Sequence, residues 1–283
     1  KVLRTRADGK KVLALLRLDY GDTGTGYMDL HLVRGKDGAV RIVDWYDYST
    51  GQLYTQSLRQ LIGVMSPTPT IMGKLFDVVS NRKENINAVM ELINLYRTQQ
   101  YAQVVEQFLV LDENMRKNRM LSIVAVQAGS LSGDDKLYHK ALANLEHHFH
   151  ADPSMAFMLI DYYFLEEQYD KALLALDRVQ QSFGVEDAAI LSLKANTHLS
   201  DSKYDKAVAL AQRAIAIEPE YESSYWSLLN ALILAKNYAP AVKVAKDLEQ
   251  NFDYDMSPES MGGSEVFLPF IASVEYKAWR SAR

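Results

Sequence analysis

His31 and Asp44 are the first residues in this chain whose types suit a reaction, because a carboxylate that fixes one tautomer of an imidazole makes a general base. Strand alternation puts Tyr27, Asp29 and His31 on one face with Ile42, Asp44, Tyr46 and Tyr48, and Met28, Leu30, Leu32, Val43 and Trp45 on the other. A two-residue Asp37-Gly38 turn then sets His31 opposite Asp44, so Asp29, His31 and Asp44 form a candidate small-ligand or catalytic face. No cleft, nucleophile or oxyanion donor can be named beside them. The same residues therefore also read as the wetter face of a half-buried sheet, where a cross-strand His and Asp contact contributes roughly a few tenths of a kcal/mol.

His147, His148 and His150 beside Asp152 have the types of a metal site but the wrong spacing. Only His147 and His150 share a helix face, and histidines at a helix C-terminus are favoured by the helix dipole. His198 occupies a packing position and reads as a satisfied core histidine. Gly21 to Gly26 carries glycines in the reverse order of the dinucleotide fingerprint and precedes a strand, so it reads as a connection between strands. No catalytic residue, metal or cofactor is expected.

The 283 residues, 48% of them hydrophobic, are enough for one to three domains with a buried core. The 31 basic and 36 acidic side chains are spread along the chain for a net charge of −5, which leaves no basic stripe for nucleic acid. No membrane span is expected, because Asp161 interrupts the longest apolar run, Met155 to Leu165. There is no cysteine, which fits a cytoplasmic protein and an exported one alike. The chain starts at Lys1 without an initiator Met or a signal-peptide apolar stretch, so the expectation is that something upstream has been removed.

Three antiparallel strands are expected at Lys11 to Tyr20, Tyr27 to Arg34 and Ala39 to Tyr48, followed by a helix with Leu58, Leu61, Ile62 and Met65 on one face. Three strands are marginal alone, so either upstream residues complete the sheet or helices cover one of its faces. Ser66 to Thr70 is a linker, and from Ile71 onward the apolar period is helical. Helices are expected at 71 to 79, 83 to 98, 101 to 116, 118 to 131, 136 to 150, 154 to 166, 169 to 183, 187 to 200, 204 to 217, 221 to 236 and 238 to 251. A loop at 254 to 264 and one or two short terminal helices complete the chain, with Ser273 capping the second. This divides the chain into 1-66, 71-253 and 254-283.

Tyr169-Asp170-Lys171-Ala172 returns as Tyr204-Asp205-Lys206-Ala207 and more weakly as Tyr238-Ala239-Pro240-Ala241, after 35 and then 34 residues. Such a period means stacked helix pairs, each burying its apolar face only against its neighbours. Residues 153 to 253 resemble three tetratricopeptide repeats. Leu191, Ala195, Tyr204, Ala207, Ala214 and Pro219 carry the likeness best, with Ala156, Ile160, Tyr163, Tyr169 and Ala172 before them and Tyr225, Leu229, Leu232, Tyr238 and Ala241 after. Two earlier pairs keep Tyr101 and Tyr138-His139-Lys140-Ala141, at spacings of 37 and 31. The terminal segment should cap the last repeat through Phe267, Phe270, Val274 and Trp279. The strands more loosely resemble the end of the curved-sheet fold of nuclear transport factor and ketosteroid isomerase, which would make them an incomplete domain. The expected class is mainly α, a tetratricopeptide-like (TPR-like) α-solenoid with a small, incomplete N-terminal antiparallel β-sheet element.

In that family, positions 5, 9 and 12 of each first helix line a concave groove. Here they are Phe157, Asp161 and Phe164, then Ser192, Asn196 and Leu199, then Trp226, Asn230 and Ile233. Asp161, Asn196 and Asn230 would bond the backbone of an extended peptide, while the aromatics take apolar side chains. The competing reading packs these aromatics on neighbouring helices and fills the groove with the chain's own termini. The family's basic clamp for a terminal carboxylate has no counterpart among these residues. The resemblance implies a non-enzymatic scaffold for a protein or peptide partner. The alternative is a ligand-binding or catalytic sheet that the repeats merely position.

Overall fold

The structure is a computed structural model that describes residues 1–20, 25–65 and 82–282. It divides into two compact units, Lys1–Glu167 and Gln168–Arg283. The helix expected at 71 to 79 lies outside the described residues.

The first unit opens with an antiparallel meander of β1 (Val2–Asp8), β2 (Lys11–Asp19), β3 (Thr25–Arg34), β4 (Val40–Asp47) and β5 (Gln52–Leu53), in that spatial order. The sequence reading expected three strands and missed the first and last. β1 is a charged edge, with Arg4 and Arg6 replacing the alternation of a half-buried strand, and its remaining signal was the Asp8-Gly9 turn.

The β3–β4 hairpin reaches the expected pairing by another route. Gly35 N–H donates to Ala39 O at 2.8 Å, so the loop holds three residues and Gly38 takes φ +82. Arg34, Val33 and Leu32 pair with Val40, Arg41 and Ile42, and a bulge at Val43 then restores His31 opposite Asp44. Ile42 therefore shares the face of Leu32 and not that of His31, which corrects the expected alternation.

The expected wet face is also reversed. Tyr27 and Asp29 are 2% and 8% exposed, whereas Val12 and Ile42 on the other face are 42% and 57% exposed. Helices cover the Tyr27 face, and the Tyr27 ring meets Phe157 edge-on at 5.8 Å.

The helices of this unit are α1 (Tyr54–Met65), α2 (Arg82–Arg97), α3 (Tyr101–Val110), α4 (Glu113–Arg116), α5 (Arg119–Ser132), α6 (Asp135–Phe149) and α7 (Ala156–Leu165), the last entered through a 3-10 turn at Pro153–Met155. Short polar side chains set their starts. Asp112, Asn118, Asp134 and Asp152 each accept hydrogen bonds from N–H groups of the turn that follows. Asp112 does so from extended backbone, which splits the single helix expected over 101 to 116.

The second unit holds α8 (Tyr169–Phe183), α9 (Ala188–Ser200), α10 (Tyr204–Ile217), α11 (Glu222–Leu234), α12 (Tyr238–Asn251), α13 (Pro258–Met261), α14 (Leu268–Ala272) and α15 (Val274–Ser281). Ala195, Ala207, Ala211, Ala241 and Ala245 are fully buried in its core, where a missing side chain lets helix axes approach. Phe270, Tyr276 and Trp279 of the terminal helices join the same core, and the Tyr276 hydroxyl donates to Met256 O at 2.7 Å. Ser273 Oγ accepts Tyr276 N–H and caps α15 as expected. Val274 does not cover the repeat end: it is 80% exposed, since it opens α15 on the side opposite Tyr276 and Trp279.

One backbone feature runs through both units. Gln99, Gly133, Glu167, Ser202 and Lys236 all have φ between +55 and +68, at steps of 34, 34, 35 and 34 residues. At Gln99, Ser202 and Lys236 the left-handed residue closes a helix through paired bonds such as Lys203 N–H to His198 O and Ser202 N–H to Leu199 O. The following helices start at Tyr101, Asp135, Tyr169, Tyr204 and Tyr238. Asp135, and not Tyr138, is thus the equivalent of Tyr169, which replaces the irregular spacings of 37 and 31 with a constant period.

Candidate functional site

The predicted row on the first helices falls on α7, α9 and α11, and the structure puts its members to different uses. In the first unit, Phe157 lies against Tyr27 of β3, while Asp161 is exposed and accepts the Tyr138 hydroxyl at 2.7 Å. Burial first, and the Asp161 charge second, push the Tyr138 phenol well above its ordinary value. Phe164 is partly exposed at the end of α7.

In the second unit, α9 begins at Asp187, a buried N-cap that accepts from Ala189 and Ile190 N–H. One turn on, Ser192 is turned inward. Its hydroxyl donates to Ala188 O and shares a 2.9 Å hydrogen bond with Ser224 Oγ, which ties α9 to α11. Ile233 is buried in the core and Leu199 packs at its edge, so neither Ser192 nor Ile233 faces a ligand. Asn196 is exposed. Asn230 is half-buried, and its Oδ1 is shut off from solvent without a hydrogen-bond partner among the described residues.

Trp226 is half-buried under the segment that follows α12. Tyr254 meets it edge-on at 4.9 Å and Phe267 lies at 6.3 Å, while the Tyr254 hydroxyl donates to Glu222. The competing reading, in which an aromatic of the row packs on the chain's own C-terminal region, applies at this position. Tyr254 and Phe267 were missed as neighbours because no local period links them to α11.

His198 corrects another expectation. It is half-buried, its Nδ1 has no partner among the described residues, and burial followed by the charges of Lys206 and Lys203 lowers its pKa. It is therefore not the satisfied core group expected from its position. His147 and His148 lie in the last turn of α6 with their rings 4.6 Å apart.

On the sheet, register brings His31 and Asp44 together, but Asp44 serves the adjoining helix. Its carboxylate accepts from Trp45 N–H at 2.9 Å, Thr55 N–H at 3.2 Å and the Thr55 hydroxyl at 2.6 Å, which caps the start of α1. Burial raises its pKa, but the bonds from Thr55 and Trp45 and the His31 charge outweigh it and hold the carboxyl below its usual value. No hydrogen bond joins it to His31, so the dyad expected of a general base is not assembled. Asp29 is buried, with Oδ2 accepting the Tyr48 hydroxyl at 3.3 Å and Oδ1 unpartnered among the described residues.

No family model matches the chain, and no curated protein matches it either. Solved structures do. "MamA MSR-1 C2" shares 13% identity over 60% of this chain and 97% of its own, at a TM-score of 0.47. PilW, "widely conserved type IV pilus biogenesis factor", shares 13% over 70% and 99%, at 0.44. The "TPR2AB-domain:pHSP90-complex of yeast Sti1" shares 16% over 76% and 92%, at 0.33. The class itself rests on the constant period of left-handed turns and on the buried alanines of the helix pairs. Both units carry tetratricopeptide-like helices. Among the described residues no helix is long and apolar enough to cross a membrane.

Proposed function

We propose that this chain is a non-enzymatic scaffold that binds a segment of a partner protein on the α9 and α11 face of its second unit. One observation carries the reading: the half-buried Asn230 side chain has an oxygen to which no group among the described residues donates, one repeat beyond the exposed amide of Asn196. Buried acceptors are nearly always satisfied, and the backbone N–H of an extended peptide is a donor of the right kind. Leu199 offers apolar surface beside them, and Trp226 under its aromatic cover stiffens the end of the row.

The test is to recover binding partners with the full chain and then titrate a recovered partner by calorimetry against the wild type and Asn196→Ala/Asn230→Ala. The double variant should bind at least about 2 kcal/mol more weakly with unchanged helical circular dichroism. Equal affinity would remove this face as the binding site.

A further inference from the structure

A second polar site lies in the first unit, away from the helix row. A cavity of about 410 Å³ is lined by Gly51 and Gln52 at β5, Gln56 and Arg59 on α1, and Arg119 at the start of α5. Gln52 is 8% exposed, and its side-chain amide has no hydrogen-bond partner among the described residues. Gln56 Oε1 accepts Leu53 N–H at 3.1 Å, half of a capping box, which leaves its amide nitrogen to donate. Arg59 is exposed and has no carboxylate partner among the described residues.

Arg119 is held rigidly beside them. Its Nη1 donates to Asp152 Oδ2 and Ser154 Oγ, both at 2.8 Å, and its Nη2 to Thr50 O and Gly51 O, while the buried Nε–H has no partner among the described residues. The cavity thus sets the buried Arg119 Nε–H, a donor of a kind native proteins rarely leave unmet, beside solvent-reachable donors of Gln52, Gln56 and Arg59. Arg119 is matched by Asp152, which leaves Arg59 as the one guanidinium of the cavity without a carboxylate partner among the described residues. The nearby Asp47 is turned into its own loop, where Oδ1 accepts the Ser49 N–H and hydroxyl.

We propose that this cavity binds a monoanionic carboxylate, with its oxygens on the Arg59 guanidinium and the Gln52 and Gln56 amides. Arg119 acts as a fixed positive charge behind them. A guanidinium suits the planar, two-oxygen geometry of a carboxylate. Charge selects against a phosphate monoester, whose roughly −1.5 to −2 charge near neutral pH would exceed the one positive charge available. The volume accommodates the body of a small ligand as well as its acid group. The acid comes either from a free small molecule or from a Glu or Asp side chain of a peptide.

The experiment titrates the full chain with benzoate, acetyl-glutamyl-amide, benzamide and inorganic phosphate, following the side-chain amide signals of Gln52 and Gln56 by NMR. At least one carboxylate should bind saturably and shift both amides, and the tighter of the two identifies the source. Benzamide, which lacks the charge, should not bind. Arg59→Gln, an exposed change that spares the fold, should weaken carboxylate binding roughly tenfold. Carboxylate binding unaltered by Arg59→Gln, no saturable carboxylate binding at millimolar probe, or tighter binding of phosphate would each overturn the proposal.

Discussion

The helix pair α5 and α6 solves a packing problem in the opposite sense from α9 and α10 and from α11 and α12. Counted from the left-handed turn residue, four before and five after, the facing positions are Gly129 and Tyr138, then His198 and Ala207, then Leu232 and Ala241. In the later pairs the small residue is on the second helix. In the earlier pair it is on the first, and a Cβ placed on Gly129 would lie 2.8 Å from the Tyr138 Cα. Close approach requires one small partner, and either side can supply it. The same pitch of the repeat is therefore compatible with exchanged residue sizes.

The largest test of this comparison overfills both versions. Ala207 is fully buried, and Ala207→Leu should destabilise by about 1–3 kcal/mol in denaturant unfolding. Gly129→Ala should also destabilise, by about 1–2 kcal/mol, although alanine is the better helix former by roughly 1 kcal/mol. The atom it meets is main chain, so Tyr138→Ala should not restore stability when combined with Gly129→Ala. A rescue by that second change would show that the side chain, and not the helix approach, sets the conflict.

A smaller effect sharpens what Tyr138 adds where the later pairs carry alanine. Tyr138→Phe should cost about 0.5–1 kcal/mol by removing the bond to Asp161. Because the folded pKa of Tyr138 is raised, the unfolded chain gives up its phenol proton first as pH rises above about 10. Stability present below that pH should then fall in alkali, and the fall should be shallower in Tyr138→Phe. Equal slopes in alkaline unfolding curves would mean that the hydroxyl is free in solution.

The smallest effect concerns the turns. Gly133→Ser should destabilise by about 1 kcal/mol, since a side chain is disfavoured at φ +68. Ser202→Gly at φ +56 should change stability by less, about 0.5 kcal/mol or below, because relief of strain is offset by the greater freedom of glycine in the unfolded chain. Chemical denaturation of the two variants separates a shared turn geometry from a shared residue preference.

Much of the helical part was legible in the residues themselves. Apolar period gave helix positions to within a residue or two across α8, α9, α10 and α12, and Ser273 marked the start of α15, because both signals act within one or two turns of chain. The register of the earlier pairs was not. The Tyr138-x-x-Ala141 likeness drew the alignment three residues away from Asp135, whereas the true periodic element is a backbone conformation adopted by Gln, Gly, Glu, Ser and Lys in turn. A φ angle shared by five residue types leaves no common letter to read.

The candidate sites divide along the same line. Alternation and turn chemistry placed His31 opposite Asp44, and helical spacing put Asn196 and Asn230 one repeat apart, since both are consequences of local geometry. Which bonds those groups then make depended on elements distant in sequence. Thr55 captured the Asp44 carboxylate, Ser224 captured the Ser192 hydroxyl, Tyr254 and Phe267 covered Trp226, and no donor among the described residues reached the Asn230 oxygen. Residue order determined the helices, their caps and their repeat. Only tertiary packing decided which polar groups were spent inside the fold and which were not, because a hydrogen bond needs two atoms within about 3 Å and chain order alone does not bring them there.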